Sequence, residues 1–170
     1  MSWAYALTQA KGPSAMMLTR QGLDAIERSG DFDPYDVWRG GYVVQEDTDP
    51  AVCLMASGSE VALACNVAKV LQAQGTKTKV ISVPSVNLLR KQDRSYRAQL
   101  LPENVLKVSI EAGVSTPWRE FVGTNGVCIG IDRFGASAPA EVLAEQFGFT
   151  VNSVVQQINH ALGDVLGESH

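Results

Sequence analysis

From position 40 onward the chain alternates short apolar runs with stretches of helical period, and this alternation leaves few folds open. Runs at 51–56, 78–83, 105–110 and 127–131 have strand length and are bounded by Gly, Pro or polar clusters. Between the first two, Ser57-Gly58-Ser59-Glu60 opens a helix to about residue 74, with hydroxyls to cap it, an acid in its first turn and Gly75 just past its end. Val61, Ala64, Ala68 and Leu71 fall on one face of that helix. Further helices are expected at 92–100, at 117–121 with Pro117 as first residue, and at 139–147. A last one, capped by Thr150, carries Val151, Val154, Val155, Ile158, Ala161 and Leu162 at helical spacing. Strands alternating with helices imply a parallel sheet with helices on both faces. A further strand at 42–44 is joined to 51–56 by the short polar segment 45–50, so these two are expected to pair as an antiparallel hairpin. The expected fold is therefore three-layer α/β, with a five-stranded mixed sheet of four parallel strands and one antiparallel.

The first 36 residues read differently. Residues 2–7 suit the tail of a helix, Gly12-Pro13 is a turn signal, and 14–19 is a short apolar run expected to be a buried strand. Residues 21–36 carry Gly22, Gly30 and Pro34 without a sustained period and read as a linker, with a helical turn near 24–27.

Composition excludes several classes of function. A net charge of −4 lacks the basic stripe that nucleic acid requires. No apolar run approaches the roughly 20 residues that span a bilayer, so no membrane partner is expected. The N-terminus does not have a secretory layout, and a cytoplasmic location fits. Cys53, Cys65 and Cys128 sit among apolar neighbours and read as buried reduced thiols. His160 and His170 stand in no metal-ligand spacing with them.

Five groups of residues could carry chemistry. Ser57-Gly58-Ser59-Glu60, between a strand and a helix, offers free amides to an anion or is simply a helix cap. One glycine is far short of a phosphate-cradling loop. Glu111 ends a strand, where an acid can be catalytic or can cap the next loop. Asp132-Arg133 reads as an ion pair or turn, and Trp118 and Phe121 as core or interface. Arg20 follows a short apolar run, where a guanidinium either grips a phosphate in a bidentate way or is a surface side chain.

Several strings, in one order, carry a resemblance. They are Thr19-Arg20-Gln21, Arg39-Gly40-Gly41-Tyr42-Val43, Ala56-Ser57-Gly58-Ser59-Glu60-Val61 and Val83-Pro84-Ser85. Lys91-Gln92-Asp93, Glu111-Ala112-Gly113, Phe134-Gly135-Ala136-Ser137-Ala138-Pro139-Ala140-Glu141 and Phe147-Gly148-Phe149-Thr150-Val151 continue them. Together they resemble the C-terminal portion of transketolases. The resemblance implies that residues 1–36 are the tail of the pyrimidine-binding middle domain with a linker, and 37–170 the C-terminal domain. It implies that Arg20 holds the phosphate of a sugar-phosphate substrate. It carries no catalytic, cofactor-binding or metal-binding residue onto this chain. Thiamine diphosphate and magnesium belong to the intact enzyme, a homodimeric ketol transferase of the pentose phosphate pathway, and are not expected to bind this chain alone. Its partners would be the remaining transketolase domains, a homodimer mate and sugar phosphates. The alternative is a free-standing, non-catalytic α/β assembly or regulatory module.

Overall fold

The computed structural model describes residues 1–19, 21–28 and 32–167. Its centre is a five-stranded sheet of β1 (Tyr42–Glu46), β2 (Val52–Ala56), β3 (Thr78–Ser82), β4 (Leu106–Ile110) and β5 (Val127–Ile129), in the order β1-β3-β2-β4-β5. β3, β2, β4 and β5 are parallel and β1 alone is antiparallel, as expected.

The expected hairpin is not there. β1 pairs with β3, and β3 separates it from β2. The segment after β1 steps over the start of β3 instead of folding back beside β1. Two strand spacings are about 10 Å, which five residues span easily. Asp47 holds the step in place: its carboxylate accepts from the Thr78 N–H at 2.8 Å and from Gln72 Nε2 at 2.8 Å. The Asp47 N–H donates to the Thr78 carbonyl, and the Ala51 N–H to that of Lys77. A polar loop of five or six residues satisfies a hairpin and a one-strand step equally well, so its length does not distinguish them.

The chain leaves β2 through α2 (Glu60–Ala73) and returns to β3. Next come α3 (Val86–Arg90) and α4 (Arg94–Leu100), then β4, a 3-10 turn at Thr116–Trp118, α5 (Arg119–Val122) and β5. α6 (Ala140–Phe147) and α7 (Val151–Gly167) close it. Because strand side chains alternate between faces, β2 supplies two cores. Leu54 and Ala56 pack with Val80, Val108, α2 and the Val154 and Ile158 stripe of α7. Cys53 and Met55 pack on the other face with Ile81, Leu89, Leu100, Trp118 and Phe121. Trp118 and Phe121 are thus core. Cys53, Cys65 and Cys128 are free thiols. Burial pushes the Cys53 thiol up to about 12, which leaves it protonated and inert.

β3 is a paired, interior strand and yet contains Lys79, only 2% exposed. Its ammonium meets Glu46 Oε1 at 3.0 Å and donates to the Gln99 carbonyl at 3.0 Å. Glu46 is its register partner on β1, so the buried charge is paired across the strands.

At helix starts, Thr150 caps as expected, accepting from the Ser153 N–H. The start of α2 does not: no side chain caps it, because the Ser57 hydroxyl is turned toward Glu111 and that of Ser59 toward Glu60. At the entrance to β1, Gly40 has φ +88°, and an added Cβ would run into the Leu89 N–H and the Ser85 carbonyl. That close approach explains why glycine stands there.

The N-terminal expectations divide. α1 (Ser2–Thr8) forms and sets Tyr5 edge-on against Trp38. Residues 14–19 form no strand: Met17 is 93% and Leu18 82% exposed. A strand needs a neighbour for its ladder, and no described strand pairs with this run. The helical turn near 24–27 is absent, and a 3-10 helix at Pro34–Arg39, started by Asp33 accepting from the Tyr35 N–H, occupies part of the expected linker.

Asp47→Ala should remove both side-chain contacts of the crossing loop and cost about 1–2 kcal/mol, read as a lower urea midpoint. The hydrogen bonds from Thr78 and Gln72 hold the Asp47 carboxyl below its ordinary 3.8. Its contribution is therefore complete above that value and lost as pH falls through the lower folded one. The difference between parent and variant should shrink over that acid window and be constant near neutrality.

Candidate functional site

In an open α/β sheet, ligands bind outside the carboxyl ends of the strands where the strand order reverses. Here that point lies between β2 and β4. The chain leaves β2 toward β3 and leaves β4 toward β5. β2 and β4 are parallel with Ala56 opposite Ile110, so the next residues, Ser57 and Glu111, leave the sheet side by side. The Ser57 hydroxyl donates to Glu111 Oε2 at 2.7 Å across the gap.

Glu111 is half-buried, and no cation among the described residues forms an ion pair with it. Burial pushes its carboxyl above the ordinary 4.5; the Ser57 hydrogen bond pulls it back, and the charge of Glu60 pushes it up again. Above this pair is an open crevice of about 700 Å³. It is lined by Val83, Pro84 and Val86 from the segment after β3 and by Val114, Pro117 and Trp118 from the segment after β4. Arg90 stands at the rim, ion-paired with Glu120 and donating to Asn87 Oδ1 at 3.2 Å.

α3, which supplies part of this lining, lies outside the helices expected from the sequence. Its signal was legible: Ser85 after Pro84 is a helix cap, and its hydroxyl accepts from the Leu88 N–H at 3.3 Å. Asp132 turns out to lock loops. It accepts from the Ser115 N–H at 2.8 Å and hydroxyl at 2.6 Å, tying the exit of β4 to that of β5, and these bonds hold its carboxyl below the usual range. Arg133 stacks on the Phe147 ring, 4.6 Å from its centroid. Arg20, the one site residue carried by the resemblance, lies outside the described residues. Among the described residues no group of three or more His, Cys, Asp or Glu could hold a metal ion. No helix among them is long and apolar enough to cross a membrane.

A mixed sheet faced by helices on both sides, with its crevice at the reversal of strand order, places the chain among open-sheet α/β domains. Residues 40–150 match the family described as the transketolase-like TK C-terminal domain, and the chain belongs to that family. It is similar to a probable transketolase of Streptococcus pneumoniae, with 44% identity over 94% of this chain and 24% of that protein. Transketolase 1 of Pasteurella multocida is 42% identical over 92% of this chain and 24% of its own length. Among solved structures, a Pichia stipitis transketolase crystallised with sedoheptulose-7-phosphate superposes with a TM-score of 0.79 at 30% identity, over 87% of this chain and 21% of that one. The chain thus spans about a quarter of the length of the curated relatives it matches.

The Ser57–Glu111 pair makes a direct prediction. In NMR titration Glu111 should ionise above its ordinary range. Ser57→Ala, which removes the bond that lowers it, should move it higher still. A carboxyl raised in the folded state binds its proton more tightly there than in the unfolded chain. Stability should therefore fall as pH rises from the ordinary value through the folded one, and Glu111→Gln should flatten that slope.

Proposed function

We propose that this chain is the C-terminal part of a transketolase, a transferase that moves a two-carbon ketol unit from a ketose phosphate to an aldose phosphate. The observation that carries the reading is the similarity itself, 41–44% identity to transketolases over 92–95% of the chain. On this reading residues 1–36 end the pyrimidine-binding domain and 37–170 form the C-terminal domain. The enzyme works as a cytoplasmic homodimer in the pentose phosphate pathway. The chain's own contribution is structural support, dimer contact and one phosphate ligand, Arg20. The solved relative with sedoheptulose-7-phosphate supports a sugar phosphate as substrate.

Thiamine diphosphate, anchored through magnesium, would supply the carbanion chemistry from elsewhere in the enzyme. The residues described here do not fit it. The strand-to-helix turn at Gly58 is the natural place to look for a diphosphate seat, but Glu60 and Glu111 stand beside it, and their charges oppose an anion.

An arginine–phosphate contact contributes about 1.5–3 kcal/mol, or roughly ten- to a hundredfold in affinity. Arg20→Ala in the complete enzyme should weaken phosphorylated acceptors by that factor and leave unphosphorylated ones nearly unchanged; equal losses for both would refute the role. Calorimetric titration of this chain alone with thiamine diphosphate and magnesium should give no stoichiometric binding. Micromolar binding, or ketol transfer by the chain alone, would overturn its reading as a support domain.

A further inference from the structure

The surface made by α6 and the segment before it is exposed in a way that the fold of this chain does not require. Every residue from Arg133 to Val142 is exposed, and the stretch from Phe134 to Ala140 carries no charge. Phe134 is 99% exposed, although the segment is held at its start: Asp132 accepts from Ser115, and Arg133 stacks on the Phe147 ring. α6 itself has no buried residue. Yet Ala140, Leu143, Ala144 and Phe147 follow the helical period and make one apolar stripe. That stripe lines a groove of about 420 Å³, which Leu63 of α2 also lines. Gly135 and Ala136, the residues after Phe134, belong to the same lining. Exposed apolar side chains standing singly are ordinary. An apolar groove continuous with an exposed aromatic side chain marks a surface that another body covers.

The position of Gln21 points to that body. Gln21 lines the same groove, and its N–H donates to Thr19 Oγ1 at 3.1 Å. Met17 and Leu18, both exposed, stand only four and three residues upstream, and so within about 15 Å of the groove. Trp3 and Leu7 of α1, in the same N-terminal tail, are exposed as well. An apolar run without a partner strand therefore arrives at an apolar groove without a cover. On the reading proposed above, that run is the end of the pyrimidine-binding domain. A second copy of this chain would have to displace it to reach the groove. We propose that the face formed by Phe134–Ala140 and α6 seats the pyrimidine-binding domain of the same subunit, with Phe134 as the anchoring side chain. The proposal rests on the transketolase reading and names the contact through which this domain gives its support.

Two cysteine variants test it: Phe134→Cys, and Lys91→Cys at an exposed position on the opposite side of the sheet. Each is labelled with a maleimide in the chain alone and in the complete enzyme. Labelling is read at the added thiol by mass spectrometry, so the three native thiols do not interfere. In the chain alone both positions should react as free thiols. In the complete enzyme position 134 should react at least about tenfold more slowly, and position 91 should be unchanged. Phe134→benzoylphenylalanine, irradiated in the complete enzyme, should cross-link to peptides from upstream of Met1, and the product should run at the mass of one subunit. Phe134→Asp should leave the urea midpoint of the chain alone unchanged and lower that of the complete enzyme. Unchanged labelling at position 134, equal slowing at both positions, or a cross-link at the mass of two subunits would each overturn the proposal. Protection of position 134 in the chain alone that is lost on dilution would assign the face to a second copy, and would overturn it too. Ketol transfer by the complete parent enzyme is assayed alongside. Transfer with position 134 fully reactive refutes the contact alone. No transfer with position 134 protected refutes the transketolase reading and leaves the contact standing.

Discussion

Every residue of β2 is completely buried, and the two faces of this one strand feed two separate cores. The rest of the molecule follows from that. Burying a Leu or Met side chain contributes about 1.5–3 kcal/mol, and Leu54 and Met55 make that contribution on opposite sides of the sheet. Helices must then cover both faces. α2 and α7 do so on one side, and α3, α4 and α5 on the other. A strand so enclosed must also have both edges paired, since unpaired backbone groups in a dry core are costly. β3 and β4 take those edges, and β1 is displaced to the rim of the sheet.

That displacement places a polar strand inside. β3 carries Thr78, Lys79 and Ser82, all buried. Thr78 and Lys79 are tolerated because tertiary contacts answer them: Asp47 accepts from Thr78, and Glu46 and the Gln99 carbonyl accept from Lys79. Both acids belong to β1 or the loop leaving it. The edge strand and the buried lysine therefore depend on each other.

The same geometry makes the crevice. Two parallel strands in register carry Ser57 and Glu111 out of the sheet together, and the chain diverges to opposite sides immediately afterwards. The crevice lies in the gap between those diverging paths. Asp132, binding Ser115, keeps the segment after β4 in place.

Most of the local structure from residue 40 onward is legible in the residues, α3 excepted. Hydrophobic period and the flanking Gly and Pro residues place α2, α6, α7 and all five strands, and Pro117 marks its turn. The strings around Gly40 and Glu111 pointed to the family before their reasons were visible: a glycine pressed against α3, and an acid paired with the serine of a neighbouring strand. Three things were decided only in three dimensions. The partner of β1 was one, because hydrophobic pattern tells which face is buried but not which neighbour shares an edge. The exposure of Met17 and Leu18 was another, because an apolar run becomes a strand only when a partner edge is present. The third was Ser57, whose type and position are those of a helix cap. Glu111 lies 54 positions away in sequence, and a desolvated carboxylate there makes a stronger claim on the hydroxyl than the first turn of α2.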